Sequence, residues 1–159
     1  MDKAAEVTIY TDGACLGNPG PGGYGIVLIS GPHRKELSGG EANTTNNRME
    51  LRAVIEGLKA LKRPSRVTVY SDSKYIVQMV EEGWLERWHA NGWMRNKKEP
   101  AKNIDLLKML RACLKQHQVR FVWVKGHADT KENNRCDQLA VQEAERQKLI
   151  ISTTSKHQG

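Results

Sequence analysis

Four acids and one histidine stand where chemistry could occur. Asp12 closes the run Val7-Thr8-Ile9-Tyr10-Thr11, whose β-branched and aromatic residues predict a strand, and Gly13 follows it. Asp72 follows Val67-Thr68-Val69-Tyr70 in the same manner. If those two strands pair in parallel, both carboxylates reach one edge of the sheet, where open α/β folds place ligands. Glu50 lies in the first turn of a predicted helix, one turn before Val54 and beside its apolar stripe. Asp137, within Asn134-Arg135-Cys136-Asp137-Gln138-Leu139-Ala140, borders another buried face. Carboxylates gathered at one spot repel, and their pKa values rise. Hard divalent cations relieve this, and carboxylates with retained waters suit Mg²⁺. Two such ions ~3.5–4 Å apart can clamp the attacking and leaving oxygens of a phosphodiester. One lowers the pKa of the attacking water and the other stabilises charge on the departing oxygen.

Taken singly, each residue also has an ordinary use. Asn47 with Glu50 three residues on matches a capping box. Asp72 could cap the next helix, and Asp137 could be a surface charge or half of an ion pair. His127, alone in the loop Lys125-Gly126-His127-Ala128-Asp129, could be solvated or hydrogen-bonded. The convergence of four acids is what favours a metal site, and an aspartate at the end of a buried strand needs some such offset to its charge.

The positioning elements can be read from pattern. The glycine-rich stretch over residues 13–25 predicts a long turn between antiparallel strands. Within it, Gly20-Pro21-Gly22-Gly23-Tyr24-Gly25 fits G-x-G-x-x-G, but a dinucleotide site needs those glycines to open a helix. They precede Ile26-Val27-Leu28-Ile29, which is strand material. A third, more polar strand spans residues 33–39. The cluster Asn43-Thr44-Thr45-Asn46-Asn47 announces a helix over residues 48–62, with Leu51, Val54, Ile55, Leu58 and Leu61 as its buried stripe. A second helix follows Ser71-Asp72-Ser73. This strand–helix–strand order favours a parallel pairing of the first and fourth strands. Residues 83–103 interleave Trp84, Trp88 and Trp93 with Arg87, Arg95, Lys97, Lys98 and Lys102. At least one of these tryptophans belongs to the core, given the area each can bury. A helix over residues 104–116, a strand over 119–124 and a last helix from about 131 to 149 complete one domain, residues 1–149. The polar tail, residues 150–159, is expected to be disordered.

Bulk properties agree with a single basic domain. The chain has 159 residues, 38% of them hydrophobic, a net charge of +7 and a pI of about 9.4, a balance that points to a polyanionic partner. Cys15, Cys113 and Cys136 form no Cys-x-x-Cys pair, so neither zinc nor a disulfide framework is indicated, and a reducing cytosol fits best. No apolar run approaches the ~18–20 residues of a membrane span. The first six residues have no apolar core of a signal peptide.

These motifs, in this order and over nearly the whole chain, resemble bacterial type 1 ribonuclease H. The resemblance rests on Tyr10-Thr11-Asp12-Gly13, Cys15-Leu16-Gly17-Asn18-Pro19-Gly20, Thr44-Thr45-Asn46-Asn47-Arg48-Met49-Glu50-Leu51, Ser71-Asp72-Ser73, Trp123-Val124-Lys125-Gly126-His127 and Asn134-Arg135-Cys136-Asp137. It implies an α/β, ribonuclease H-like fold: a five-stranded mixed sheet, three antiparallel strands then two parallel, with helices on both faces. It implies endonucleolytic cleavage of the RNA strand of RNA–DNA hybrids, leaving 3′-hydroxyl and 5′-phosphate ends; nothing in the sequence suggests more than a monomer or an obligate protein partner. Asp12, Glu50, Asp72 and Asp137 match the metal-binding carboxylates, which would hold two Mg²⁺ ions with substrate, Mn²⁺ being a possible substitute. His127 matches a histidine that handles protons at the water and promotes product release. Cys15, Asn18, Asn46, Asn47 and Gln78 match contacts to the 2′-hydroxyls that mark RNA. Thr45 and Asn103 match a phosphate pocket for the DNA strand, and Trp84 its aromatic contact. Residues 83–103 resemble the basic protrusion called the handle. His89-Ala90-Asn91-Gly92 interrupts its basic run, and Asn43 stands where an arginine can occur, so substrate affinity is expected to fall below that of a more basic relative.

Three rival readings remain at the level of sequence. A transposase- or integrase-type nuclease acting on DNA would lack use for the 2′-hydroxyl contacts. A non-catalytic hybrid-binding module would not need four carboxylates. A dinucleotide-binding protein would need a helix after the glycines.

Overall fold

Hydrophobic alternation and two strand–helix units dictate the architecture. The computed structural model describes residues 5–125 and 130–158, the side chains of residues 154–158 excepted. Its strands are β1 (Ala5–Cys15), β2 (Gly20–Ser30), β3 (His33–Thr44), β4 (Ser65–Ser71) and β5 (Gln118–Trp123). They form one sheet in the order β3-β2-β1-β4-β5. β2 pairs antiparallel with β1 and β3, whereas β4 pairs parallel with β1 and β5. The helices are α1 (Asn46–Lys59), α2 (Lys74–Glu81), α3 (Trp84–Ala90), α4 (Ile104–Lys115) and α5 (Lys131–Gln158). The expected five-stranded mixed sheet is therefore present. No described helix is long and apolar enough to cross a membrane.

The two faces of the sheet are covered for different reasons. Val7, Ile9, Val67 and Val69 alternate with more exposed residues and lie in the main core with Met49, Leu51, Ile55 and Leu58 of α1. Residues of α4 and α2 extend that core: Leu107, Leu110, Ile76 and Met79 are fully buried. Truncating one of them to alanine costs roughly 2–5 kcal/mol. On the opposite face α5 lies directly on β2. A Cβ at Gly25 would run into the Cys136 carbonyl and stand 2.7 Å from Leu139 Cβ, and one at Gly23 would stand 2.7 Å from Ala144 N. Only glycine lets helix and strand approach so closely.

That contact explains one departure from the expected turn. Residues 13–25 are mostly strand, because β1 runs on to Cys15 and β2 begins at Gly20. The glycines serve helix–sheet packing rather than a phosphate loop, and the dinucleotide reading fails with them. β3 extends to Thr44, five residues past its expected end, by pairing with β2 as far as Gly20. α1 begins at Asn46 and stops at Lys59, three residues short of the expected 62. Inside the handle lies a helix the pattern did not reveal, α3. It buries Leu85 and Trp88, while an isolated bridge between Met94 and Pro100 closes the rest of the protrusion. Trp88 is the core tryptophan; Trp84 and Trp93 pack against it half-buried. The last helix does not end at residue 149. α5 continues to Gln158, since residues 150–158 contain neither proline nor glycine to stop it.

Candidate active site

The parallel register of β1 and β4 builds the site. Tyr10 pairs with Tyr70, so Asp12 and Asp72 lie two residues beyond a matched pair, on the same edge. The Thr11 hydroxyl donates to the Tyr70 carbonyl at 3.0 Å, and Val124 N donates to the Ser71 carbonyl at 2.9 Å, which ties β1, β4 and β5 together at that edge. Trp123 Nε1 donates to the Asp72 carbonyl at 3.1 Å and fixes the backbone that carries this acid. Gly13 lets α1 come to the strand: a Cβ there would stand 2.6 Å from Glu50 N and 2.7 Å from the Met49 carbonyl carbon.

The structure removes the ordinary uses of two acids. The N-cap of α1 is Thr45, whose hydroxyl accepts from Arg48 N, so Glu50 is not the partner of a capping box. The N-cap of α2 is Ser73, whose hydroxyl accepts from Ile76 N, so Asp72 does not cap that helix. Instead Asp12, Glu50 and Asp72 each offer a carboxylate oxygen, and these oxygens lie within 4.8 Å of one another. Asp137, from the second turn of α5, lines the same cleft of about 200 Å³. Thr11, Asn46, Val124, Lys125, Asn133 and Asn134 line the rest of it. Arg135 clamps this turn of α5 to β3, its Nε and Nη2 donating to the two Glu36 carboxylate oxygens at 3.0 and 3.1 Å.

Electrostatics mark the cluster as unfinished without a cation. Burial, then the charges of Asp72 and Asp137, push Asp12 up from 3.8 to about 7, although Gly13 N donates to its Oδ1 at 2.9 Å. Burial, then Asp12 and Asp72, push Glu50 well above the usual glutamate range. Glu50 is 4% exposed, and its Oε2 is buried without a hydrogen-bond partner among the described residues. Beneath Asp12, burial and then the Asp12 charge push the Cys136 thiol up to about 12, so it stays protonated. An all-oxygen donor set with one orphaned carboxylate oxygen fits a hard divalent ion.

The predicted substrate residues fall into two groups. Cys15, Asn18, Thr45, Asn46 and Asn47 form one patch where the β1–β2 turn meets α1. Asn18 Oδ1 accepts from Asn46 N at 3.2 Å, and the Cys15 thiol donates to the Thr44 carbonyl at 3.4 Å. Asn103, the N-cap of α4 at φ 60°, joins this patch through Arg48, whose Nη1 donates to Asn103 Oδ1 at 3.3 Å. Gln78 and Trp84 lie apart from the cleft on α2 and α3; Gln78 is exposed, and Trp84 tilts against Trp88 at 6.2 Å between ring centroids. His127 lies outside the described residues. Sequence reasoning missed Trp123 and Asn133. The second had a signal, since it stands four residues before Asp137 and so on the same side of α5.

A family model, RNase H, matches residues 4–145. The chain belongs to the ribonuclease H family. Its members are metal-dependent endoribonucleases, and the ribonuclease H of Syntrophus aciditrophicus is 58% identical over 148 residues, 93% of this chain and 86% of that protein. Among solved structures, LC9-RNase H1, a type 1 RNase H with the type 2 active-site motif, matches with TM-score 0.82 and 33% identity, covering 92% of this chain and 75% of its own. A foamy viral protease-reverse transcriptase in complex with RNA/DNA hybrid matches with TM-score 0.73 and 27% identity, over 89% of this chain and 20% of its own. The family match thus spans all five strands, the four acids and about the first half of α5, and this chain is an enzyme of that class.

Proposed function

We propose that this ribonuclease H hydrolyses the RNA strand of RNA–DNA hybrids, leaving 3′-hydroxyl and 5′-phosphate ends. The observation that carries the reading is the convergence of Asp12, Glu50 and Asp72 within 4.8 Å in a cleft that Asp137 also lines. These four acids would hold two Mg²⁺ ions, with Mn²⁺ as a possible substitute. Bound there, the pair lowers the pKa of the attacking water and neutralises charge on the departing oxygen.

The chain's own residues do the rest. Asn46, beside the cleft, and its neighbours Cys15, Asn18 and Asn47 offer the short polar groups that read a 2′-hydroxyl in a shallow minor groove. Gln78 extends that reading along the duplex. Thr45 and Asn103, linked through Arg48, hold a phosphate of the DNA strand, and Trp84 supplies an aromatic contact to that strand. His127 handles protons at the water and assists product release. The basic handle supplies the salt-dependent share of affinity; its Arg95 is already paired with Glu99, which supports a weaker share than its count of cations suggests. The free thiols of Cys15, Cys113 and Cys136 suit a reducing cytoplasm, and the enzyme would act there as a monomer.

The test is cleavage of an end-labelled hybrid with Mg²⁺ by wild type and by Asp12→Asn. The variant is expected to lose two to three orders of magnitude in rate, on the order of 3–4 kcal/mol of barrier lowering. Near-normal cutting by the variant removes Asp12 from the mechanism. Cutting of duplex DNA in preference to the hybrid would overturn the substrate reading, and binding without any cutting would reduce the protein to a hybrid-binding module.

A further inference from the structure

Buried polar side-chain atoms without partners are rare in folded proteins, and each one asks for an explanation. Among the described residues they occur on Thr44, Glu50, Arg52 and Asn133. Two of the four line the acid cleft. Glu50 is accounted for by the cation its cluster requires. Asn133 is not, and both its donor, Nδ2, and its acceptor, Oδ1, lack partners.

The position of Asn133 is specific. It stands one helical turn before Asp137 on α5, so both side chains face the same side of the helix and the same cleft. The residue as a whole is partly exposed although its carboxamide is turned inward. In that inward pose the amide forfeits its hydrogen bonds. Rotation about χ1 or χ2 toward the cleft therefore breaks none, and any acceptor arriving there gains an undamped donor.

Chemistry says which acceptor that is. Asp12, Glu50, Asp72 and Asp137 can only accept hydrogen bonds once ionised, and so can the oxygens of a phosphodiester. A cleft that receives a phosphate among such groups needs a donor that does not compete with the cations for the carboxylates. A carboxamide is neutral and meets that need without pairing with the acids, unlike the ammonium of Lys125, which also lines the cleft. We propose that Asn133 is a further substrate-contact residue, whose Nδ2 donates to a non-bridging oxygen of the phosphodiester being cleaved. The proposal rests on the hybrid-cleaving reading above, and deepens it.

The test compares wild type with Asn133→Ala and Asn133→Gln, using hybrid cleavage with Mg²⁺ and thermal unfolding without metal. Failure of wild type to cut the hybrid would sink the underlying reading, whatever the variants do. Given a wild type that cuts, Asn133→Ala is expected to lose roughly ten- to hundredfold in kcat/KM, the range for a hydrogen bond to a charged group. Its metal-free Tm is expected to be equal to or above that of wild type, because no partner inside the protein is lost. Asn133→Gln, which keeps the amide, is expected to recover part of the rate. A loss smaller than about fivefold, or any loss accompanied by a lower Tm, overturns the assignment and leaves Asn133 a structural residue.

Discussion

Asp12→Asn ought to make the metal-free protein more stable while abolishing its activity. The Asp12 carboxyl is held at about 7 in the fold against 3.8 in the unfolded chain. A group whose folded value is raised contributes its stability fully below the unfolded value, and loses it as pH rises through the folded one. At pH 8 the folded protein must therefore keep Asp12 ionised against burial, Asp72 and Asp137. Holding the carboxyl at about 7 rather than 3.8 corresponds to on the order of 4 kcal/mol. Asparagine removes the charge and retains an oxygen to accept from Gly13 N. For a chain of this size each kcal/mol moves Tm by roughly 2–4 °C, so the ceiling is a rise of roughly 8–16 °C. The assay is thermal unfolding by circular dichroism, in a chelator, at pH 8 and at pH 4. The gain is expected at pH 8 and should shrink to less than about 1 kcal/mol at pH 4, where wild-type Asp12 is protonated in the fold and only about half ionised in the unfolded chain. A variant no more stable than wild type at pH 8 would refute the view that charge repulsion strains this cluster.

Three other outcomes follow from the same geometry. Mg²⁺ is expected to raise the Tm of wild type at pH 8 and to do so much less at pH 5, where Asp12 and Glu50 hold protons that the ion would have to displace; differential scanning calorimetry reads both. Gly25→Val drives a side chain into the Cys136 carbonyl and Leu139, so a loss of roughly 1–3 kcal/mol or more in urea unfolding is expected, with activity falling because α5 carries Asp137. Replacing the exposed Lys97 and Lys98 by alanine is expected to weaken hybrid binding evenly across sequences and to flatten the slope of log K against log salt by up to about 2; an unchanged slope would place the handle off the duplex.

Much of this molecule could be read from sequence because its signals are local. The stripe Leu51, Val54, Ile55 and Leu58 announces α1, and the matched endings of β1 and β4 announce the acid edge. What could not be read depended on partners distant in the chain. Thr45 and Asn47 are equally able to cap a helix; Glu50 decides between them only because its carboxylate is wanted elsewhere. The glycines of β2 look like a turn until α5, over a hundred residues later, is seen lying on them. α3 escaped notice because its seven residues are too short to display a period, and Trp88 and Leu85 find their core in α2. The orphaned amide of Asn133 is a property of three-dimensional surroundings and has no signature in a string of letters.

The pairing of Tyr10 with Tyr70 carries a broader consequence. Because Asp12 and Asp72 extend from adjacent parallel strands in register, their spacing follows the repeat of the backbone ladder, roughly 4.8 Å, rather than any particular side-chain packing. Core substitutions that leave the ladder intact keep this pair in place, whereas Glu50 and Asp137 depend on how closely α1 and α5 pack on the sheet. A slip of a single residue, by contrast, would send one carboxylate to the far side of the sheet. Cation affinity in this enzyme is therefore a gauge of two things at once: strand alignment for one pair of acids, and the seating of two helices for the other.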